Sequence, residues 1–268
     1  MRKSSKISKI IKLASSQKIT CLTAYSFNIA KLLNDICDII LVGDSLGMVL
    51  YGMQNTKEVT LDMMIRHAQS VTKAAKSPLI VVDMPYGSYE NNKYEALNNA
   101  KKIIAQTNCD AIKIEIDEHI LPIAKYLCQN NIALMGHIGL LPQHCQNAKD
   151  FRYKAIKEDS VKALIDLAKK IEEIGAFSMV IEAVPEEVAS KIAKSLEIIT
   201  IGIGASIDCN GQILVTDDML GINQDFNPKF LKKYGNLANE ISSCAKRYKD
   251  DVVNKKFPAK DNLFRVKS

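Results

Sequence analysis

Ile39-Ile40-Leu41-Val42-Gly43-Asp44 is a continuous apolar run that ends on a carboxylate. Three more runs follow the same rule, at residues 79–83, 111–115 and 177–182, closing on Asp83, Glu115 and Glu182. A short, unbroken apolar run of this kind reads as a strand buried on both faces, as in a parallel sheet. Its last residue sits where the sheet meets solvent, the edge at which parallel α/β folds bind their ligands. Four acids at four such ends predict a cluster, most economically a divalent-metal site with a general base.

Residues 18–23, 132–137, 198–202 and 212–217 are also short, β-rich and ended by polar or glycine residues, which makes eight strand candidates. Helical patterns lie between most of them, at 27–34, 61–75, 93–106, 120–130, 160–174 and 185–195. Eightfold alternation in a chain of 268 residues predicts an α/β fold, a (β/α)8 TIM barrel forming a single domain over residues 1–268. The rival, a doubly wound open sheet, usually carries a glycine-rich first turn, and none follows Thr23. Residues 1–18 are basic and place Ile10, Ile11 and Leu13 on one side. They lack the apolar core of roughly 7–15 residues and the cleavage site of a targeting peptide, so an N-terminal helix capping the barrel floor is expected. Residues 245–268 are left over after the eighth unit and predict a C-terminal helical extension.

The net charge of +6 is concentrated at the ends. Residues 1–18 hold six basic groups and no acid, and residues 246–268 hold eight basic groups against three acids. Residues 19–245 carry 22 basic and 27 acidic groups, a net of −5, so no basic face for nucleic acid is expected. No apolar run reaches the ~20 residues that span a bilayer. Seven dispersed cysteines without a CxxC pair indicate reduced thiols, a cytoplasmic compartment and small core side chains rather than cysteine catalysis.

Alternation along a strand sharpens the metal reading. Lys113 and Glu115 share a face, while Ile112 and Ile114 face the helices. An inward lysine is costly to desolvate unless it meets an anion. Asp44, Asp83 and Glu115 end consecutive strands about 4.8 Å apart and can converge on one hard cation with its waters. Glu182, on the sixth strand, stands apart as the base. Bland readings compete at each position. Asp44 alone, followed by Ser45 and Gly47 in a turn-like stretch, would pass for a cap or loop acid. Asp217-Asp218 reads as capping, His67 as structural, and Gly202 to Ala205 as close packing beneath the mouth. His137 reads equally as a satisfied core histidine or a substrate contact.

Taken in order, Thr23-Ala24-Tyr25, Val42-Gly43-Asp44-Ser45-Leu46-Gly47-Met48, Asp83-Met84-Pro85 and Lys113-Ile114-Glu115 resemble motifs of the ketopantoate hydroxymethyltransferase family. The same holds for Gly136-His137-Ile138-Gly139-Leu140-Leu141-Pro142-Gln143, Ile181-Glu182-Ala183-Val184-Pro185, Ile201-Gly202-Ile203-Gly204-Ala205 and Asn210-Gly211-Gln212-Ile213-Leu214-Val215. The resemblance implies a barrel enzyme of pantothenate biosynthesis. It would transfer a hydroxymethyl group from 5,10-methylenetetrahydrofolate to 3-methyl-2-oxobutanoate, giving 2-dehydropantoate by Mg2+-assisted enolate formation.

By the same resemblance, Asp44 and Asp83 bind Mg2+, with Glu115 joining directly or through water. Asp44, Ser45, Asp83 and Lys113 contact the oxo acid, and Glu182 is the base. A homodecamer of stacked pentameric rings is implied as well. The chain departs from the family pattern at Ser26, where an aspartate is usual, and at Ile116-Asp117, where glycines are usual. It departs most at residues 151–157, a segment otherwise rich in glycine. Two alternatives are another Mg2+-dependent 2-oxo-acid lyase or mutase of the same barrel type, and a catalytically impaired barrel acting as a scaffold.

Overall fold

A computed structural model describes residues 5–145 and 157–264. Residues 151–156 of the divergent segment lie outside that range. The chain divides into two compact units, Met1–Thr216 and Asp217–Ser268.

The first unit is a TIM-type barrel. Eight parallel strands close in sequence order: β1 (Ile19–Thr23), β2 (Ile39–Val42), β3 (Leu79–Asp83), β4 (Ala111–Glu115), β5 (Leu134–Gly139), β6 (Ser178–Glu182), β7 (Ile199–Ile203) and β8 (Gly211–Leu214). Closure is made by β1 pairing with β8, with Ile19 opposite Gly211 and Leu22 opposite Leu214. The helices are α1 (Ser5–Ala14), α2 (Phe27–Leu33), α3 (Leu46–Tyr51), α4 (Leu61–Ala74), α5 (Lys93–Thr107), α6 (Leu121–Gln129), α7 (Glu158–Glu173) and α8 (Glu186–Ser195).

Local chemistry explains the helix starts. Ser26 accepts from Ile29 N and caps α2, so serine serves where the family usually has aspartate. Thr60 caps α4 and Asn92 caps α5 in the same way. In α4 the buried set Met64, Ile65, Ala68 and Val71 forms one helical stripe.

The barrel interior is filled by Ile39, Leu41, Leu79, Val81, Ala111, Met135, Val180 and Ile201, with Ile7 and Ile10 of α1 in the same cluster. The N-terminal helix therefore caps the barrel floor, and Lys6 Nζ donates to Pro78 O at 2.8 Å. Burial of each such side chain contributes roughly 1.5–3 kcal/mol. Continuing the inward positions two residues at a time leads from Ala111 to Lys113 and Glu115, from Val81 to Asp83, and from Met135 to His137. The interior thus turns from apolar to ionisable as the strands approach their C-terminal ends.

Three local expectations are corrected. The fifth strand begins at Leu134, not 132, because Asn131 takes φ 65° and the Ile132 N–H returns to Leu127 O as a helix end. The Ser45–Gly47 stretch does not stop as a turn but runs into α3, whose Gly47 lies so close to Val59 that a Cβ would meet Cγ2 at 2.6 Å. The eighth strand ends at Leu214, and Asp217 and Asp218 lie in the first turn of α9 (Thr216–Met219), where acids complement the helix N-terminus.

In the second unit α10 (Leu237–Val253) buries none of its residues. Ile241, Tyr248, Val252 and Val253 are exposed along it, and Tyr248 packs edge-on against Phe257 with ring centroids 5.5 Å apart. No helix among the described residues is long and apolar enough to cross a membrane.

Candidate active site

The strand-end acids are brought together, and they are buried rather than facing solvent. Asp44, Asp83 and Glu115 expose 7%, 3% and 3% of their surface, and Lys113 exposes 7%. Asp83 stands opposite Lys113 in the β3–β4 register. Its Oδ1 accepts from Lys113 Nζ at 2.7 Å, and its Oδ2 accepts from the Asp44 N–H at 3.1 Å. Gly43 permits this approach: a Cβ there would lie 2.9 Å from Ser45 Oγ and 3.5 Å from Asp83 Oδ2. Ser45 Oγ shares a 2.7 Å hydrogen bond with the Tyr25 hydroxyl. His67 is structural, as expected: its Nδ1 donates to Tyr25 O at 2.6 Å, and its Nε2 accepts from the Tyr51 hydroxyl at 3.0 Å.

Charge is crowded here. Burial, and then the neighbouring Asp83 charge, push the Asp44 carboxyl up to about 7. Burial and the Asp44 charge hold Glu115 well above the usual carboxylate range. Burial pulls on the Lys113 ammonium in the opposite sense, but Asp83 and Asp44 outweigh it and keep Lys113 above its ordinary value.

Glu182 and His137 form the second part of the site. Glu115 stands opposite His137, and Gly139 opposite Glu182, in the registers of β4, β5 and β6. His137 Nε2 lies 3.1 Å from Glu182 Oε2, and its Nδ1 lies 3.9 Å from Glu115 Oε1. Both nitrogens are buried, with the Glu182 carboxylate the nearest partner of Nε2. Burial, followed by the Lys113 charge, lowers the His137 pKa, so the ring is neutral at pH 7. Gly139 is required at φ 93°, because a Cβ would fall 2.3 Å from Glu182 O. Immediately after Glu182 the chain turns through Ala183 at φ 49°, an uncommon conformation for a residue with a Cβ.

Two residues with no role assigned from the sequence complete the cluster. Gln143, 2% exposed, donates from Nε2 to Asp44 Oδ2 at 2.8 Å and from its backbone N–H to Glu115 Oε1 at 3.1 Å. The Tyr89 hydroxyl donates to Gln143 Oε1 at 2.6 Å. A long polar side chain directly after Leu140-Leu141-Pro142 was the available signal for Gln143. Tyr89 lies in a loop with no pattern to single it out.

Among the described residues, no three His, Cys, Asp or Glu side chains already converge as a ligand set. The donor chemistry nevertheless fits Mg2+. That ion takes one or two carboxylates and fills its remaining positions with water and substrate oxygens. Asp44 and Asp83 offer two hard carboxylates, while both Glu115 oxygens accept from the Gln143 backbone N–H. A dication would also offset the negative charge that Lys113 alone leaves unbalanced.

Five of the seven cysteines are withdrawn into the fold. Cys21, Cys37, Cys109, Cys145 and Cys209 are buried, and burial pushes the Cys37 and Cys109 thiols up to about 11.

Comparison with known proteins gives the fold and the family. By fold, the chain is similar to a 2,3-dimethylmalate lyase of the PEP mutase/isocitrate lyase superfamily, with TM-score 0.60, 12% identity, and 97% and 92% of the two chains covered. It is equally similar to a phosphonopyruvate hydrolase crystallised with oxalate and Mg2+, again with TM-score 0.60, 12% identity and the same coverage. By sequence it is 48% identical over 259 residues to the 3-methyl-2-oxobutanoate hydroxymethyltransferase of Pelagibacter ubique (strain HTCC1062), covering 97% of this chain and 99% of the relative. The enzyme of the same name from Rhizobium etli is 44% identical over 257 residues, covering 96% and 94%. The model of the family described as ketopantoate hydroxymethyltransferase matches residues 4–260, and the chain belongs to that family.

Proposed function

We propose that this barrel catalyses hydroxymethyl transfer from 5,10-methylenetetrahydrofolate to 3-methyl-2-oxobutanoate, giving 2-dehydropantoate. The observation that carries the reading is the juxtaposition of a buried Lys113–Asp83–Asp44 cluster with Glu182, inside a chain 48% identical to an enzyme of that name.

Asp44 and Asp83 would hold Mg2+, with Glu115 joining through water. The bound ion would supply Lewis-acid polarisation of the ketone. The chain's own residues perform the rest. The Lys113 ammonium, kept charged by its acidic neighbours, neutralises the substrate carboxylate. Ser45, held by the Tyr25 hydroxyl, offers a polar contact at the mouth. The neutral His137, with Nε2 3.1 Å from Glu182 Oε2, stands beside the base and would offer its ring to a substrate oxygen. Glu182, 14% exposed at its side chain, removes the C3 proton. The C3 enolate carbon then forms the new C–C bond to the one-carbon unit at the formaldehyde level; both folate C–N bonds break, one water supplies the hydroxyl oxygen, and the folate leaves as tetrahydrofolate.

The phosphonopyruvate hydrolase complex with Mg2+ and oxalate supports a divalent ion beside a two-oxygen carboxylate chelator on this fold. Incubation with the oxo acid, methylenetetrahydrofolate and Mg2+ tests the reading: dehydropantoate should form and should disappear with chelator. Absence of product under saturating Mg2+ refutes it.

A cytoplasmic homodecamer is part of the same proposal. The exposed Ile241, Tyr248, Val252 and Val253 on α10 support a partner surface, since apolar groups outside a finished barrel need a cover. Sedimentation velocity at micromolar concentration should give a large closed oligomer, and a monomer near 30 kDa overturns the assembly.

A further inference from the structure

We propose that Gln143 is a positioning residue that fixes the geometry of the two metal-site acids, Asp44 and Glu115, from a single point. The inference rests on the reading of Asp44 and Asp83 as Mg2+ ligands.

Gln143 lies in the 3-10 turn Pro142–His144, directly beyond β5, and is 2% exposed. Each of its side-chain polar atoms is committed. Nε2 donates to Asp44 Oδ2 at 2.8 Å and to Met84 O at 2.9 Å, and Oε1 accepts from the Tyr89 hydroxyl at 2.6 Å. Its backbone N–H sits astride Glu115, 3.1 Å from Oε1 and 3.2 Å from Oε2.

The orientation of the amide follows from proton counting. The Tyr89 hydroxyl has one proton and already accepts the Glu115 N–H at 3.3 Å. Its proton therefore goes to Gln143 Oε1, and both Nε2 hydrogens face acceptors. The flipped amide would set a carbonyl oxygen against Asp44 Oδ2 and Met84 O, two acceptors with no proton between them.

The consequence is electrostatic as well as geometric. A lysine in this place would pair with Asp44 and cancel the charge a metal needs. An amide donor fixes the rotamer of the carboxylate without adding a positive charge beside it. The same residue holds Glu115 through its main chain, so the separation of the two acids is set by one side chain and one peptide. A residue that merely pinned the loop to the barrel would affect folding and leave the affinity of the folded protein for metal unchanged.

The test is calorimetric titration of Mg2+, in the presence of 3-methyl-2-oxobutanoate, into wild type, Gln143→Met, Tyr89→Phe, the double variant and Asp44→Asn. Thermal melts without metal accompany each titration. Gln143→Met keeps the length and the backbone bond to Glu115 but loses the amide. Its Mg2+ affinity should fall about 10- to 100-fold, the usual effect of removing a residue that orients a ligand. Tyr89→Phe, which removes the donor to Gln143 Oε1, should weaken binding in the same direction by less. In the Gln143→Met background the part of its effect that passes through the amide should vanish, leaving only what the lost bond to the Glu115 N–H contributes.

If Asp44→Asn loses binding while folded Gln143→Met keeps wild-type affinity, the role of Gln143 is overturned and the metal reading survives. If Asp44→Asn also binds normally, the metal reading falls and takes the role of Gln143 with it. Should Gln143→Met not fold, Tyr89→Phe decides: weakened binding supports the proposal, and wild-type affinity overturns it.

Discussion

Replacing Asp44 by asparagine should make the metal-free protein more stable at alkaline pH while abolishing its function. The folded chain holds the Asp44 carboxyl at about 7 against an ordinary 3.8, by burial first and by the Asp83 charge second. A folded pKa above the unfolded one means that the folded state keeps a proton which the unfolded chain has released. The stabilisation is full below about pH 4 and is lost as pH rises through about 7. At 1.36 kcal/mol per pKa unit the whole loss is on the order of 4 kcal/mol, of which about 3 kcal/mol accrues above pH 5. Asp44 is 7% exposed, so solvent screening takes little from that figure.

Asparagine keeps the shape and cannot ionise. Urea denaturation of metal-free wild type and Asp44→Asn, from pH 5 to 8.5, should show curves that separate by about 3 kcal/mol in favour of the variant. Taking the difference removes groups that titrate alike in both proteins, His137 among them. Mg2+ with oxo acid should recover the wild type at pH 8.5, and its affinity should weaken about tenfold per pH unit below 7 as the proton competes. Parallel stability curves for the two proteins would refute the claim that a crowded carboxyl at Asp44 stores this energy.

Three further outcomes follow from particular contacts. Glu182→Gln should lose exchange of the substrate C3 proton with deuterated water, without folate, by at least about a hundredfold while still binding the oxo acid; exchange at the wild-type rate identifies a different base. Gly139→Ala forces a Cβ toward Glu182 O at φ 93°, and should cost about 2–4 kcal/mol in urea denaturation and slow the same exchange, since the Glu182 backbone must move; an unperturbed variant would mean that the β5–β6 edge can open freely. Lys113→Ala leaves Asp83 buried without its cation and should destabilise by about 3–5 kcal/mol near neutral pH, checked by the same denaturation; a loss under 1 kcal/mol would mean that water already reaches the pair.

The barrel was legible because its strands are buried on both faces, so the runs at 39–42, 79–83 and 111–115 carry no competing period. The site was legible for a related reason. An inward lysine in such a run is costly to desolvate without an anion, and alternation alone places Lys113 and Glu115 on one face. What alternation does not carry is the depth of a strand end below solvent. Loops rising above the barrel rim bury Asp44 and Asp83, and those loops follow no period. Gln143 escaped for the same reason. It reaches Asp44 from 99 residues away through a turn whose conformation depends on Pro142 and on the β5–β6 edge beneath it. Tyr89 is further removed still, since its meaning comes only from the amide it orients. The strands therefore announce which ionisable groups meet, while the loops decide how those groups are held. The strand-end acids alone would serve any Mg2+-dependent barrel acting on a 2-oxo acid, and 12% identity to the lyase and hydrolase structures conveys the fold alone. What this chain adds to those acids stands above the rim, where Gln143 and Tyr89 hold Asp44 and Glu115.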